Sequence, residues 1–94
     1  MRIDEFIWLP DIVEKLAFKH GVTPDEVEEL FFNQPRFRFH EKGNVQGENM
    51  YTALGQTDAG RYLIVFFILK PSRRALIISV RKMEPTERRQ FARK

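Results

Sequence analysis

Apolar residues recur at helical spacing in two short segments near the start of the chain. In residues 11–19 they return every three or four positions, with Pro10 before the segment and Gly21 after it. Proline favours the first position of a helix and glycine the position after its last residue, so a first helix is predicted here. Residues 23–26, Thr-Pro-Asp-Glu, combine an N-cap hydroxyl, a proline at the first helical position and a glutamate three residues after the cap. They predict a second helix from Pro24 to about Phe32.

The middle of the chain shows the period of two that is typical of strands. Residues 36–40 alternate strictly, which predicts a half-buried strand with two phenylalanines in the core. The opposite face of that strand would carry Arg36, Arg38 and His40. Glycine and asparagine in residues 41–49 predict a loop, and residues 50–54 predict the next strand.

The second half of the chain completes the predicted fold. Residues 61–69 are apolar on both faces, which predicts a central strand covered on both sides. Residues 75–81 predict another strand, and residues 84–87 the start of a last helix with a basic surface. The fold class that follows is α+β: two N-terminal helices packed on a three- to four-stranded antiparallel sheet, with a basic C-terminal helix. Residues 3–8 offer a further edge strand, and the length suits one domain, residues 1–94.

The last predicted strand decides which side chains meet on the open face of the sheet. Two helices before an antiparallel meander cover one face and leave the other to the last helix, a ligand or another chain. Alternation divides the strand into two sets, with Leu76, Ile78 and Val80 on one face and Ala75, Ile77, Ser79 and Arg81 on the other. If Arg81 faces the same side as Arg36 and Arg38, the three form a basic concave surface. Alternatively, Arg81 pairs with Glu84 or Glu87.

Charge is divided unevenly along the chain. Residues 1–60 hold six Lys and Arg against eleven Asp and Glu, whereas residues 61–94 hold ten against two. A basic half of this kind indicates a surface that meets phosphates, or an acidic partner, on one side of the protein.

Several classes of function are excluded by what the sequence lacks. Without cysteine there are no disulfides or thiolate metal sites, and residues 55–60 lack the glycine spacing of a phosphate-binding loop, so neither a metal nor a cofactor is expected. The first ten residues do not resemble a signal peptide, because they carry Asp4 and Glu5 where a basic start and an apolar run would be needed. The longest apolar run is eight residues, whereas a helix that crosses a bilayer needs roughly 20. A soluble cytoplasmic protein with no membrane partner is expected.

Short motifs are spread over nearly the whole chain in a characteristic order: Phe6-Ile7-Trp8, Lys19-His20-Gly21-Val22, Glu26-Val27-Glu28-Glu29, Phe31-Phe32, Gly47-Glu48, Tyr51, Leu54-Gly55, Gly60-Arg61, Ile77-Ile78-Ser79-Val80-Arg81 and Glu87-Arg88. Together they resemble the BrnT family of small bacterial proteins. The resemblance implies a fold like that of RelE-type ribonuclease toxins. It also implies that the protein is the toxin component of a type II toxin-antitoxin system. Such a toxin is held inactive by an antitoxin, usually BrnA, that is encoded beside it.

The resemblance further implies an RNA-cleaving site. Its candidate residues are His20, Arg61, Ser79 and Arg81, with Glu48 and Tyr51 at the edge. Four positions depart from the family pattern, namely Ile12 and Leu16 in place of Lys and Asn, Leu76 in place of Arg and Phe91 in place of Tyr. Each departure removes a polar group from the implied site.

Metal-independent cleavage by such a site would use the RNA 2′-hydroxyl as the nucleophile. Charge then builds on the phosphorane oxygens, where Arg81 and Arg61 are the expected partners because a guanidinium offers a planar fork of donors. His20 is the expected acid or base, since histidine side chains in general change charge near neutral pH, and Glu48 is the second choice. The residues expected to contact RNA are Arg36, Arg38, His40 and Tyr51.

A binding function without catalysis is the alternative. The basic half could bind RNA or DNA, or it could dock an acidic partner through an interface lined by Phe37, Tyr62, Phe66 and Phe67. The nine phenylalanines are also many for a small core. Part of the apolar surface is therefore expected to lie against another chain, either an antitoxin or a second copy in a homodimer.

Overall fold

The computed structural model describes residues 1–43 and 48–93 and confirms the α+β class. In chain order its elements are β1 (Glu5–Ile7), α1 (Pro10–His20), α2 (Pro24–Phe32), β2 (Arg36–Glu41), β3 (Met50–Gln56), β4 (Tyr62–Lys70), β5 (Arg74–Lys82) and α3 (Pro85–Ala92). The sheet has five strands rather than three or four, because the edge strand offered by residues 3–8 is formed as β1. The loop predicted at residues 41–49 begins one residue later than expected, and residues 44–47 lie outside the described residues.

The sheet has the order β1-β5-β4-β3-β2, which makes β4 the central strand. Strands β2 to β5 form a continuous antiparallel meander, and β1 adds to the edge in parallel with β5. Within the described residues, no helix is long and apolar enough to cross a membrane.

Two apolar clusters cover the two faces of the sheet, which explains why β4 is apolar throughout. The larger lies between the sheet and helices α1 and α2, and its buried members are Leu16, Val22, Val27, Leu30, Ala53, Leu63, Val65, Phe67, Ala75, Ile77 and Val80. The smaller lies on the opposite face, where α3 packs, and contains Leu54, Ile64, Met83, Tyr62, Phe66 and Phe91. The central strand therefore contributes side chains to both clusters.

A β-bulge in β5 changes which of its side chains lie on each face of the sheet. Phe66 pairs with Ser79 whereas Phe67 pairs with Ile77, so Ile78 is an extra residue between two register positions. An extra residue reverses the alternation on either side of it. Ala75 and Ile77 consequently share the larger core with Val80, and the prediction that they face the same way as Ser79 and Arg81 is wrong.

The ends of α1 and α2 follow the capping signals in the sequence. Gly21 ends α1 in the left-handed conformation, with φ at +60°. At the start of α2, the backbone amide of Glu26 donates to Thr23 Oγ1 at 3.2 Å, and the amide of Thr23 donates to Glu26 Oε1 at 3.2 Å. This reciprocal pair is a capping box, as predicted.

Removal of the cap hydroxyl gives a modest, measurable effect. Thr23→Ala is expected to lower the free energy of unfolding by about 1 kcal/mol, because one amide at the start of α2 loses its acceptor. Chemical denaturation of the variant and of the wild type measures the difference. Thr86→Ala, an exposed position in α3, is the matched control, and an equal loss in both variants would contradict the role of the cap.

Candidate functional site

A pocket of about 250 Å³ lies between α3 and the β2 side of the sheet. Its walls come from β2, β3, β4, β5 and α3, and the lining residues are Arg38, Phe39, His40, Thr52, Leu54, Ile64, Phe66, Arg81, Glu87 and Gln90. We call it the α3 pocket. Two arginines, a histidine and a glutamate line it, so polar and titratable groups converge there over an aromatic floor.

Strand β2 supplies a guanidinium and an imidazole to the α3 pocket. Arg38 pairs in register with Thr52, and its Nη1 donates to Gln90 Oε1 of α3 at 2.9 Å. A register shift between Phe39 and Glu41 leaves His40 as an extra residue of the strand. The ring of His40 stands edge-on to Phe66, with 5.2 Å between the ring centres. Because Arg38 and His40 both line the α3 pocket, His40 lies on the same face as Arg38 even though it is the bulge residue.

Strand β5 contributes Arg81, which forms a two-point ion pair with Glu87 in the pocket. Its Nη1 and Nη2 donate to the two carboxylate oxygens of Glu87 at 2.7 and 2.8 Å. The guanidinium carbon lies 5.6 Å from the centre of the Phe66 ring, a cation–π distance. Of the two acidic partners expected as an alternative, Glu87 is bound in this way, and Glu84 stands 3.9 Å from Nη1. Arg81 is thus both a pocket residue and an ion-pair residue.

The two members of this ion pair shift each other's pKa. Hydrogen bonds from Arg81 lower the pKa of Glu87, and the hydrogen bonds to Glu87 raise the pKa of Arg81. Both groups are therefore charged at neutral pH. A carboxyl whose pKa is lowered on folding stabilises the fold above its unfolded pKa, and this contribution is lost as the pH falls through the lowered value.

The remaining predicted residues of this face flank the pocket. Ser79 is exposed on β5 beside Phe66 of β4, with which it is paired in register. Arg36 is half-buried on β2 and is paired with Leu54, two positions from Arg38 and on the same face. Strands β2 and β5 thus direct Arg36, Arg38, His40, Ser79 and Arg81 to one side of the sheet.

Arg61 and His20 lie on the other side, at the junction of α1 and α2. Arg61 Nη2 donates to the carbonyl of His20 at 3.1 Å, and its Nη1 donates to the carbonyl of Gly21 at 3.0 Å and to Glu26 Oε2 at 2.9 Å. These bonds satisfy carbonyls at the end of α1 that have no partner within the helix. The side chain of His20 is exposed. The structure therefore does not bring His20 and Arg61 together with Ser79 and Arg81.

The two edge residues implied by the resemblance also lie outside the lining of the α3 pocket. Glu48 forms an ion pair with Lys70. Tyr51 packs on the larger core, stacked with Phe67 at 6.0 Å between ring centres and edge-on to Phe39 at 5.8 Å. Both contacts have sufficient structural explanations in side-chain pairing and aromatic packing.

Three positions that depart from the family pattern have clear packing roles. Leu16 is buried in the larger core, and Ile12 packs against it. Phe91 stands edge-on to Tyr62 in the smaller cluster, with 6.1 Å between ring centres. The polar groups expected there are replaced by apolar contacts that attach helices to the sheet.

Sequence reasoning missed what α3 brings to the site. Glu87 was expected only as a partner of Arg81, and Gln90 and Thr52 were not expected at all. The available signal was the spacing of Glu84 and Glu87, which marks the start of a helix directly after the strand that carries Arg81. Among the described residues, no three His, Asp or Glu side chains are close enough together to hold a metal ion.

Comparison with known families identifies the family of the chain. A family model described as the ribonuclease toxin BrnT of type II toxin-antitoxin systems matches residues 8–87, most of the chain. The chain belongs to the BrnT family. No curated protein sequence matched it. The BrnT match confirms the resemblance found in the motifs, and its span includes Arg38, His40, Arg81 and Glu87.

Proposed function

We propose that this BrnT-family protein cleaves RNA at the α3 pocket without a metal ion. The observation that supports the proposal is the convergence of Arg38, His40 and Arg81 from two strands into one pocket. The family is one of ribonuclease toxins, so a pocket with two guanidinium groups and an imidazole suits the chemistry of a phosphodiester.

The proposed reaction is an internal displacement at phosphorus. The 2′-hydroxyl loses its proton and its oxygen bonds to the adjacent phosphorus, while the bond from phosphorus to the 5′-oxygen breaks and that oxygen gains a proton. The products are a 2′,3′-cyclic phosphate and a free 5′-hydroxyl. Negative charge on the phosphorane oxygens is stabilised by the guanidinium groups of Arg81 and Arg38, because these remain protonated and offer paired donors.

His40 is the proposed proton carrier in this reaction. The His40 ring and the Arg81 guanidinium both contact the ring of Phe66, at 5.2 and 5.6 Å from its centre, so we place the reacting phosphate over that ring, between the arginine and the imidazole. The role expected of His20 moves to His40 for this reason, and Arg61 acts by holding the α1–α2 junction. Glu48 is paired with Lys70 and is not assigned a proton-transfer role.

RNA binding extends from the pocket along the same face of the sheet. Arg36 and Ser79 flank the pocket and are proposed to contact the backbone of the RNA. Phe39, which the alternation of residues 36–40 predicts in the core, is 58% exposed, and its pairing with Tyr51 puts its side chain on the opposite face, at the β2 edge of the sheet. An unpaired base of an RNA that runs past this edge is proposed to stack on it. Tyr51 supports the ring of Phe39 through its edge-on contact.

Neutralisation by a partner is the second part of the proposed function. Membership of a type II toxin-antitoxin family implies an antitoxin, and we propose a BrnA-like protein that acts on the toxin in the cytoplasm. Phe18 and Phe32 are 90% and 81% exposed, which is unusual for phenylalanine in a protein that stays alone. An antitoxin, or a second copy in a homodimer, is proposed to cover them.

The reaction is tested with two RNA substrates that differ by one oxygen. Purified protein is incubated with an RNA and with the same RNA carrying a single 2′-deoxynucleotide at the cleaved position, both in excess EDTA. We expect cleavage of the first to a 2′,3′-cyclic phosphate and no cleavage of the second at that position. Equal cleavage of both, or activity that requires added Mg²⁺, would contradict the proposed reaction. Binding of both substrates without any cleavage would favour a recognition module.

A further inference from the structure

We infer, on the basis of the proposed function, that Glu87 is a positioning residue whose carboxylate fixes the Arg81 guanidinium with one donor edge free for a phosphate. The assignment comes from the way in which the five N–H donors of this arginine are distributed among acceptors.

Three of the five donors are occupied. Glu87 accepts one hydrogen bond from each terminal nitrogen of Arg81, and the carbonyl of Lys82 accepts a further one from Nη1 at 3.2 Å. Among the described residues, Nε and the second hydrogen of Nη2 have no acceptor. These two donors lie on the same edge of the guanidinium and are parallel, which matches two oxygens of a phosphate.

Glu87 is itself held in place by the start of α3. It is the third residue of α3, and the backbone amide of Glu84 donates to its Oε1 at 2.8 Å. The terminal nitrogens of Arg81 are thus bound to Glu87 at the start of α3, and the guanidinium lies over the ring of Phe66. A long flexible side chain is in this way ordered before any substrate arrives, so less conformational freedom is lost in the transition state.

A direct role for Glu87 in proton transfer fits the geometry less well. Both of its oxygens accept hydrogen bonds from a cation, and this lowers the pKa of the carboxyl and makes it a weak proton acceptor. Its negative charge also repels a phosphate that approaches Arg81. Loss of the charge should therefore strengthen RNA binding while the orientation of Arg81 is lost.

The test is a double-mutant cycle of Glu87→Gln and Arg81→Ala, with kcat and KM measured for RNA cleavage. We expect Glu87→Gln to lower kcat by up to about 100-fold, as misplacement of a reacting group does, with KM unchanged or reduced. In the Arg81→Ala background the same substitution should change kcat by less than about twofold, because the residue that it positions is absent. Glu84→Gln removes a charge near the same guanidinium without breaking the two-point contact, and it should keep the wild-type kcat.

Three outcomes would overturn the inference. The first is an unchanged kcat in Glu87→Gln, and the second is an equal loss of kcat in both backgrounds, which would indicate that Glu87 acts on the substrate directly. The third is wild-type cleavage by Arg81→Ala, which would refute the proposed function and the inference with it. Circular dichroism at the assay temperature checks that each variant is folded. Glu87→Gln keeps the size of the side chain but removes its charge. Glu87→Asp serves as a second variant that keeps the charge, and it should retain more activity than Glu87→Gln.

Discussion

His40→Gln is expected to lower the rate of RNA cleavage by roughly 100- to 10,000-fold, the range that a positioned acid or base contributes. Glutamine retains polar atoms of similar reach but cannot take up and release a proton near neutral pH. RNA binding should persist, since Arg38 and Arg81 remain in the α3 pocket. The measurement is the initial rate of cleavage of a labelled RNA, with affinity measured separately on a substrate that carries the 2′-deoxynucleotide.

The chain provides its own matched comparison, because it has two histidines. His20→Gln makes the same chemical change at the end of α1, where the backbone carbonyl and not the imidazole is bound by Arg61. It should leave the cleavage rate within about twofold of the wild type, since surface substitutions away from a site have small effects. A large loss in His20→Gln with normal cleavage by His40→Gln would move the active site to the α1–α2 junction.

Arg81→Ala should reduce cleavage by about 100- to 1,000-fold, which corresponds to roughly 2.7 to 4 kcal/mol of transition-state stabilisation. Arg81→Lys should recover little of this loss, because an ammonium group is a point charge that cannot bind a carboxylate and a phosphate through two parallel pairs of donors. If Arg81 also contacts phosphate in the bound state, the slope of log affinity against log salt concentration should fall by about 0.7 on single-stranded RNA.

A basic residue elsewhere on α3 controls for the loss of charge alone. Arg89 is exposed and outside the lining of the α3 pocket, so Arg89→Ala should weaken RNA binding at most and leave kcat unaltered. If Arg89→Ala and Arg81→Ala reduced cleavage to the same extent, the effect would come from general electrostatic attraction and not from a positioned guanidinium.

Helix starts and the central strand could be predicted because each depends on residues that are neighbours in the sequence. The capping residues at 23–26 fix the start of α2, and the apolar residues 61–69 identify the central strand, since only a strand covered on both faces is apolar throughout. The bulge at Ile78 could not be found in this way. A bulge depends on the register between two strands, and the sequence of one strand carries no record of that register.

Only those residues of the candidate site that lie on strands of the sheet could be predicted from the sequence. Alternation placed Arg36, Arg38 and His40 on one face, and the structure brings Arg81 to the same face. The position of Arg61 was hidden because β4 is apolar on both sides, so its pattern does not show which face the residue before it joins. Glu87 and Gln90 enter the site through the packing of α3, a tertiary contact that helix periodicity does not specify.

The most direct test of the active-site assignment follows the imidazoles of His40 and His20 by NMR. Their ring resonances are recorded while the protein is titrated with the RNA that carries a 2′-deoxynucleotide at the cleaved position and therefore stays intact. Binding at the α3 pocket predicts that the resonances of His40 shift with RNA concentration while those of His20 remain in place. Shifts confined to His20, with His40 unchanged at saturating RNA, would contradict the assignment.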